Sequence, residues 1–303
     1  MPEARWIDLV DPTGDEIKAS LPGRIHPAAL ALLLAPHVHD DEPRPRIESQ
    51  GDYVLGILLV AVAVKSQDRV YYQEVDFILT SDTLVTVSKT PPDEKPYDPN
   101  PVKELCSPEE HVGMFAFRLM DDIAERYLDL IDDLNDEIDE LEDNVEVWPP
   151  AKIRTRVSSL RHDLLHIRRT LAPTRDAVRK IVDGRIELEG GGDLFPREVQ
   201  IHVGDAYDKL LRASDGLETS RDLVAGVRDY FQSKMSNDQN EVVKRLTVIA
   251  SLLLVPTFIV GLYGQNFHDI PEIGWSWGYW WSWGLILGTT IGQLIFFRWK
   301  KWF

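Results

Sequence analysis

The chain has 303 residues, with 33 basic and 50 acidic side chains, so its formal net charge at neutral pH is -17. This charge argues against nucleic acid as a partner, because phosphate binding needs clustered Lys and Arg, and it favours cations. The single cysteine, Cys106, excludes an intrachain disulfide and a cysteine-rich zinc site. The first twelve residues lack the basic region and the apolar run of a cleavable signal peptide, so we expect membrane insertion to depend on later segments.

Short apolar runs separated by turns occupy residues 5–90. Runs such as "YVLGILLVAVAV" and "RVYYQEVDFIL" are rich in the β-branched and aromatic residues that favour strands, and they predict a sheet. Five prolines between Pro91 and Pro101 then prevent regular structure across a linker. The bulk of this part is expected in the cytosol.

Two long helical patterns follow the linker. In residues 108–147 the apolar side chains recur every three or four positions, while thirteen carboxylates lie between Asp121 and Glu146. These acids have two interpretations: a solvated helix face, or a surface that concentrates cations near a pore mouth. A second helix within 152–186 carries eight basic residues between Lys152 and Arg179, which offer a complementary face for the acidic one.

A third helical pattern continues from Phe195 to Leu262 and becomes uncharged after Arg245. Its part Leu246–Tyr263 is long enough to cross most of a ~30 Å hydrocarbon core, with Pro256 as a kink or a site accommodated by neighbouring helices. A second uncharged stretch begins with five tryptophans, as is typical of a membrane interface. A hairpin buried in a soluble core is the alternative, and it fits these lengths less well.

These patterns divide the chain into seven segments. They are an N-terminal αβ cytosolic domain (1–107), an acidic and basic helical hairpin (108–194), a cytosolic stalk helix (195–245), a first membrane helix (246–264), an external loop (265–278), a second membrane helix (279–297) and a basic cytosolic tail (298–303). Basic residues flank both membrane helices on one side, so the positive-inside rule places both termini in the cytosol. Two helices alone cannot enclose a water-filled path, which implies a homo-oligomer.

The motif "YGQNF", Tyr263 to Phe267, ends the first membrane helix. Together with "WIDLVDPTGDE", "LIDDLNDEIDELED", "NEVVKRLT" and "IPEIGWSWGY", it makes the chain resemble the CorA family of magnesium and cobalt channels over essentially its whole length. The family signature has methionine at the position of Gln265. Gly264 and Asn266 are kept: glycine permits a tight turn, and a ring of asparagine amides presents oxygens to a hydrated cation.

The resemblance implies a homopentameric channel with an αβα cytosolic domain, a long stalk helix and two C-terminal transmembrane helices. Its selectivity filter would be Gly264, Gln265 and Asn266, and its pore-lining and gating positions Asn240, Val243, Leu246, Leu254 and Thr257. Without the resemblance, the three aliphatic side chains fit lipid or helix contact equally well. Glu272 matches an acid that draws cations to the outer mouth, and an exposed acid without function is the alternative. Asp205 matches a carboxylate that binds a regulatory Mg²⁺ together with an acid of the neighbouring subunit, for which Asp93 is the candidate.

Two histidine patterns resemble metal sites, but neither has a third ligand at a recognised spacing, so we expect no metal site at either. They are His37 and His39 with Asp40 and Asp41, and His162 with His166. The sequence contains no phosphate-binding loop, nucleophile elbow or paired-acid active site, so we expect no enzyme activity and no organic cofactor.

Three functions remain. The first is a Mg²⁺ and Co²⁺ channel of the cytoplasmic membrane, gated by intracellular Mg²⁺, so that Mg²⁺ is both transported and regulatory. The second is a transporter of Zn²⁺ or another divalent cation from the same superfamily, a branch of which varies at the position of Gln265. The third is a non-conducting, membrane-anchored sensor or scaffold. Expected partners are further copies of the chain, the lipid bilayer and divalent cations.

Overall fold

The computed structural model describes residues 3–36, 42–64, 69–189, 192–266 and 270–302. The chain forms two compact units, Met1–Val227 and Arg228–Phe303. The boundary between the units lies within the longest helix.

A five-stranded sheet in the order β1-β5-β4-β3-β2 lies at the centre of the first unit. Its strands are β1 (Arg5–Val10), β2 (Arg46–Ser49), β3 (Val54–Val64), β4 (Arg69–Leu79) and β5 (Thr83–Lys89). Strand β1 runs parallel to β5, and the other pairs are antiparallel. The central strands are buried on both faces, which explains why their sequences read as continuous apolar runs and do not alternate.

Two short helices cover one face of the sheet: α1 (Gly14–Ser20) and α2 (Pro27–Leu34). Helix α1 begins with a capping box, in which Glu16 N donates to Thr13 Oγ1 and Thr13 N donates to Glu16 Oε2 at 2.7 Å. The side chains of Ile17, Ala29 and Leu33 lie in one buried cluster with residues of β3, β4 and β5. This packing holds both helices against the sheet.

Longer helices cover the other face. They are α4 (Val112–Asn144) and α5 (Pro150–Val182), preceded by the short α3 (Asn100–Lys103). The rings of Trp6 on β1 and Phe115 on α4 stack with centroids 6.4 Å apart. The predicted αβα arrangement is therefore confirmed. It arises because α4 carries one continuous buried stripe of apolar residues at helical spacing.

The basic face of α5 makes ion pairs with α4, with acids close to it in the chain and with the next helix. Arg156 does contact Glu137 of α4, at 2.7 Å. Arg175 and Arg179, however, contact acids that follow them closely in the chain, at 3.0 and 3.5 Å. Arg168 lies 3.7 Å from Glu218 on the next helix. The long basic side chains on this helix face thus form ion pairs with carboxylates that lie nearby in space, whichever helix carries them.

The proline-rich linker is attached to α4 by a buried tyrosine. Tyr97 donates from its hydroxyl to Asp122 Oδ2 at 2.8 Å, and Arg126 Nε donates to the same oxygen at 2.8 Å. The Arg126 guanidinium also lies 5.1 Å from the centroid of the Tyr97 ring. A segment that forms little regular structure is thereby held in place through one side chain.

Two carboxylates and one ammonium are buried together in the sheet. Lys89 Nζ lies 2.5 Å from Glu74 Oε1 and 2.8 Å from Asp76 Oδ2, and it donates to the carbonyl oxygen of Leu32 on α2 at 2.9 Å. Burial and the neighbouring Glu74 raise the pKa of Asp76 to about 8, although Lys89 opposes the shift. One lysine cannot neutralise two buried carboxylates, so the cluster retains a proton near neutral pH.

Gly56 on β3 is expected to tolerate no side chain. A Cβ atom at this position would lie 1.9 Å from Cε1 of Phe77, its cross-strand partner, whose ring is fully buried and has no room to move. We expect Gly56→Ala to destabilise the first unit by about 1–3 kcal/mol or more. Thermal unfolding of the full chain in detergent measures this change.

The matched control for Gly56→Ala is Gly204→Ala. No atom lies within 4 Å of a Cβ built at Gly204, which is helical. Alanine there should raise stability by up to about 1 kcal/mol because it favours the helix. Equal effects of the two substitutions would contradict the packing argument.

The second unit consists of the end of α6 (Arg197–Tyr263), a 3-10 helix (Pro271–Gly274) and α7 (Gly278–Trp299). The prediction of one long helix followed by a C-terminal helix is confirmed, with α6 continuous over 67 residues. Within the described ranges, α6 is the one helix long and apolar enough to cross a membrane. Tryptophan, glycine and Gln293 lower the mean hydropathy of α7, and its crossing stays a prediction.

Candidate cation pathway

The five predicted pore positions share one face of α6. With 3.6 residues per turn, Asn240, Val243, Leu246, Leu254 and Thr257 fall within an arc of about 120° around the helix axis. All five side chains are exposed, and Leu254 reaches 70%. This face of α6 is the pore arc.

The other side of the same helix is the side that the chain itself covers. Val248 is only 7% exposed, and Leu252, Val255 and Ile259 are half-buried. Gln293 of α7 contacts α6 at Ser251, next to this covered side. The pore arc is therefore left open by the second helix of its own chain.

Four further residues lie on the pore arc that the sequence prediction did not include: Thr247, Ala250, Phe258 and Gly261. Each lies four residues from a predicted position, so their side chains point to the same side of the helix. Apart from Ser251, Pro256 and Tyr263, the small and polar residues of the membrane segment lie on this arc. The signal was present in the spacing, but it becomes readable only when the helix is known to be unbroken through Pro256.

The threonines of this segment bond to their own helix. Thr247 Oγ1 donates to the carbonyl oxygen of Val243 at 2.8 Å, and Thr257 Oγ1 donates to that of Leu253 at 2.7 Å. Each hydroxyl has thus used its one proton, and its oxygen remains an acceptor. Thr257 on the pore arc accordingly offers a lone pair suited to a cation or to its hydration water.

The glycine and amide motif forms the end of α6. Gly264 N donates to the carbonyl oxygen of Val260 at 2.9 Å, and Gln265 N donates to that of Leu262 at 3.4 Å, so the chain turns out of the helix at these residues. The expected turn is present, but Gly264 is not among the residues with positive φ. A Cβ atom there would lie 3.1 Å from the Val260 oxygen, so close packing is the constraint. Asn266 is exposed immediately after the turn, and Phe267 of the motif lies outside the described residues.

Glu272 lies in the 3-10 helix that leads into α7, and it is half-buried. Its carbonyl oxygen accepts from Trp275 N at 3.2 Å. The rings of Trp275 and Trp277 stack at 4.8 Å, and Trp281 lies 5.7 Å from Trp277. A tryptophan cluster therefore surrounds the chain after Glu272 and gives this turn a defined shape.

The two predicted regulatory acids lie on different elements. Asp205 is exposed on α6, and Asp93 is exposed in the linker with a φ of 67°, in the left-handed region that Asp tolerates. No group of three or more His, Cys, Asp or Glu side chains suited to a metal occurs in the part of the chain that the structure describes. A site shared between subunits needs a second chain, so the Asp205 and Asp93 pair stays a prediction.

The histidine patterns give no metal site where the structure describes them. The rings of His162 and His166 lie 6.1 Å apart, and His166 Nε2 lies 3.3 Å from Glu42 Oε2. The group formed by His37, His39, Asp40 and Asp41 lies outside the described residues.

The acidic face of α4 is mostly in contact with solvent. Nine of the thirteen carboxylates between Asp121 and Glu146 are exposed. At one end, Lys209 of α6 lies 2.8 Å from both Asp121 and Glu125. This exposure agrees with a solvated face and with a surface that attracts cations, so both interpretations remain.

Comparison with known proteins gives one consistent match. The family described as "CorA-like Mg2+ transporter protein" matches residues 3–301. The chain is 30% identical over 284 residues to the cobalt/magnesium transport protein CorA of Thermotoga maritima, covering 92% of this chain and 77% of that protein. It is also 27% identical over 191 residues to the zinc transport protein ZntB of Yersinia enterocolitica, covering 63% of this chain and 56% of that protein. The structure of the CorA magnesium transporter from Methanocaldococcus jannaschii superimposes with a TM-score of 0.79 at 22% identity, over 97% of this chain and 89% of that one.

Proposed function

Because the chain belongs to the CorA-like Mg²⁺ transporter family, we propose that it is a channel that conducts Mg²⁺ and Co²⁺ across the cytoplasmic membrane into the cell. The observation that carries this proposal is the pore arc: its small and polar residues lie on the face of α6 that α7 leaves open. A helix that only anchors a domain in the membrane needs no separate face of small and polar residues. Copies of α6 that face one another along this arc would enclose the pathway, in a homopentamer.

Selectivity in this proposal comes from a ring of Asn266 amides at the outer end of the pathway. Mg²⁺ gives up its water reluctantly, so amide oxygens that bind the hydrated ion select it at lower cost than a cage that removes the water. Towards the cytosol from this ring, Leu254, Leu246 and Val243 form apolar rings that stop conduction when they exclude water. Thr257 supplies a polar ring on the outer side of these constrictions, and Asn240 supplies one on their cytosolic side.

The flanking charges support an orientation with both termini in the cytosol. Lys244 and Arg245 precede the membrane part of α6, and Arg298, Lys300 and Lys301 lie at the end of α7 or after it. Glu272 then lies on the outer side, where its carboxylate attracts cations to the entrance. Uptake is driven by the ion gradient and the membrane potential.

Feedback by cytosolic Mg²⁺ is the finer part of the proposal. Asp205 and Asp93 supply carboxylate oxygens, the hard ligands that Mg²⁺ prefers, and both are exposed and so available to a neighbouring subunit. A regulatory ion held between Asp205 of one subunit and Asp93 of the next would keep the acidic subunits together in the closed state. Loss of that neutralising charge favours separation of the subunits.

A second candidate function is transport of Zn²⁺. It is favoured by the similarity to ZntB and by Gln265, which replaces the methionine of the CorA signature. In this alternative a proton gradient drives the flux. Members of the family are transporters or channels, and we expect no enzyme activity.

Reconstitution tests the proposed function and separates the two metals. Purified protein in liposomes is expected to take up Mg²⁺ and Co²⁺ faster than empty liposomes do, and the rate should be independent of a pH gradient. Uptake is measured with metal-sensitive dyes inside the vesicles, using Mg²⁺, Co²⁺ and Zn²⁺ in parallel.

The same assay defines the role of Gln265. Gln265→Met restores the CorA signature, and a substituted protein that keeps its Mg²⁺ rate shows that the glutamine is compatible with Mg²⁺ transport. Uptake of Zn²⁺ alone, increased by a pH gradient, would replace the Mg²⁺ proposal by the Zn²⁺ alternative. Absence of uptake for all three metals would contradict both.

A further inference from the structure

One polar contact joins the two helices of the second unit and has no part in the function proposed above. Gln293 of α7 donates from Nε2 to the backbone carbonyl oxygen of Ser251 on α6, at 3.3 Å. The other end of this amide, Oε1, is buried and has no hydrogen-bond partner in the described part of the chain. An amide placed among apolar residues is unfavourable unless it forms hydrogen bonds, because hydrocarbon offers no partners to replace those of water. The bond to Ser251 partly offsets that penalty.

The acceptor lies in the turn that a proline weakens. Pro256 has no N–H group, so the carbonyl oxygen of Leu252 lacks its usual donor four residues later, and the proline ring presses on this turn. Proline is tolerated in membrane helices when polar side chains or neighbouring helices satisfy the backbone groups around it. Gln293 donates to the carbonyl oxygen of Ser251, one residue before Leu252, so it holds this turn from a different helix without replacing the missing N–H group.

The threonine bonds of these helices provide a comparison. Thr247, Thr289 and Thr290 each donate to a carbonyl oxygen of their own helix in turns without proline, so the equivalent bond of Thr257 is the ordinary one. The bond from Gln293 differs because it ties the position of α7 to the backbone of α6. A rotation or bend of α6 near Pro256 would break it.

The clamped turn carries two residues of the pore arc. Leu254 and Thr257 flank Pro256 on the face opposite to the covered side, so a change of the bend at Pro256 moves both side chains relative to the rest of the arc. In an oligomer, the same displacement is repeated in every subunit. The geometry of one hydrogen bond outside the pathway thereby sets the width of the pathway.

We infer that Gln293 is a positioning residue for cation conduction, which acts by holding the proline turn of α6 against α7. It touches no ion. The inference rests on the proposed transport function, because it assigns a consequence for flux to a contact between helices.

The test uses Gln293→Met, which keeps the length of the side chain and removes the amide. In reconstituted full-length protein, the Mg²⁺ uptake rate is expected to change by about threefold to tenfold, the range for one interhelical hydrogen bond in a membrane protein. The oligomeric state, measured by size-exclusion chromatography with light scattering, should not change. Thr290→Val on the same helix is the matched control and should leave the rate unchanged, because Thr290 bonds only to Ile286 of its own helix.

A double substitution shows whether Gln293 acts through the proline turn. Pro256→Ala removes the ring that weakens this turn and restores the N–H group for the Leu252 carbonyl oxygen, so the turn then depends less on its contact with α7. Gln293→Met should therefore lower the thermal midpoint of the detergent-solubilised oligomer more when Pro256 is present than in the Pro256→Ala background. If Gln293→Met alone fails to assemble, the double variant should assemble. An equal effect of Gln293→Met in both backgrounds, or a double variant that still fails to assemble, overturns the inference.

The same assay separates this inference from the proposed function. Loss of uptake in Asn266→Ala with an unchanged rate in Gln293→Met contradicts the positioning role and leaves the channel intact. Unchanged uptake in Asn266→Ala contradicts the ring of Asn266 amides, whereas uptake by the unsubstituted protein that is no faster than in empty liposomes contradicts the channel itself.

Discussion

Asn266→Ala is expected to reduce Mg²⁺ uptake into liposomes at least about tenfold. A hydrogen bond from a neutral group to a charged one contributes about 1.5–3 kcal/mol, and a factor of ten in rate or binding corresponds to about 1.4 kcal/mol. Alanine removes the amide oxygen from every subunit at once, so the hydrated cation loses the whole ring. Dye-reported uptake at matched protein content measures the effect.

The control for this substitution is Asn237→Ala. Asn237 is also an exposed asparagine of α6, but it lies off the pore arc, so the same chemical change there should leave the uptake rate unaltered. The side chain of Asn266 is exposed at the end of the helix and not part of a packed core, so assembly is expected to persist. A rate that survives Asn266→Ala would contradict the amide ring. Uptake equal to that of empty liposomes in both proteins would favour the sensor or scaffold, whose membrane helices serve only as an anchor.

Lys89→Met is expected to destabilise the first unit by about 3–5 kcal/mol, because it removes the single cation from a buried group of two carboxylates. For a unit of this size the change corresponds to a decrease in the thermal midpoint of about 6–20 °C. Differential scanning calorimetry of the full chain in detergent measures it. Lys18→Met is the control: Lys18 is 56% exposed, and it lies 3.8 Å from Asp15, so its loss should change stability by less than about 0.5 kcal/mol.

The effect of Lys89→Met should increase with pH. Folding raises the pKa of Asp76 from 3.8 to about 8, so its contribution to stability is fully present below about pH 4 and is lost as the pH rises towards 8. Without Lys89, no ammonium group offsets the negative charge of the buried Asp76 carboxylate, and that charge develops as the pH rises. A loss of stability in Lys89→Met that stays constant between pH 5 and pH 8 would contradict this account of the cluster.

Buried charge of this kind was not visible in the sequence. Glu74 and Asp76 are separated by one residue, so they share a face of β4, but only the antiparallel register of β4 with β5 places Lys89 opposite Glu74. The sequence "RVYYQEVDFIL" predicted a strand correctly and gave no sign that its polar side chains point into the protein. Register between strands is a tertiary property, since it depends on segments that are distant along the chain.

The helices were predicted better than the contacts between them. The spacing of apolar residues in α4 and the long charge-free end of α6 are local patterns. Both predict helices, whose backbone hydrogen bonds also join residues that are close in the chain. The complementary face of α5 was predicted from charge alone. In the structure its described ion pairs join α5 to α4, to α6 and to acids close to it in the chain, because long side chains reach several neighbours. The turn at Gly264 was expected, but close approach to Val260 and not a positive φ is what constrains it.

The sequence by itself determined the division into a sheet-containing part, two long helices, a third helix with an uncharged end and a C-terminal helix, together with the motif that points to the family. These features follow from periodicity, charge and one short run of residues, each of which is written along the chain. The tertiary structure alone decided which face of α6 stays open, since that depends on where α7 lies. It also decided that Gln293 meets the turn of Pro256, because two residues 37 positions apart come together only when the helices lie side by side.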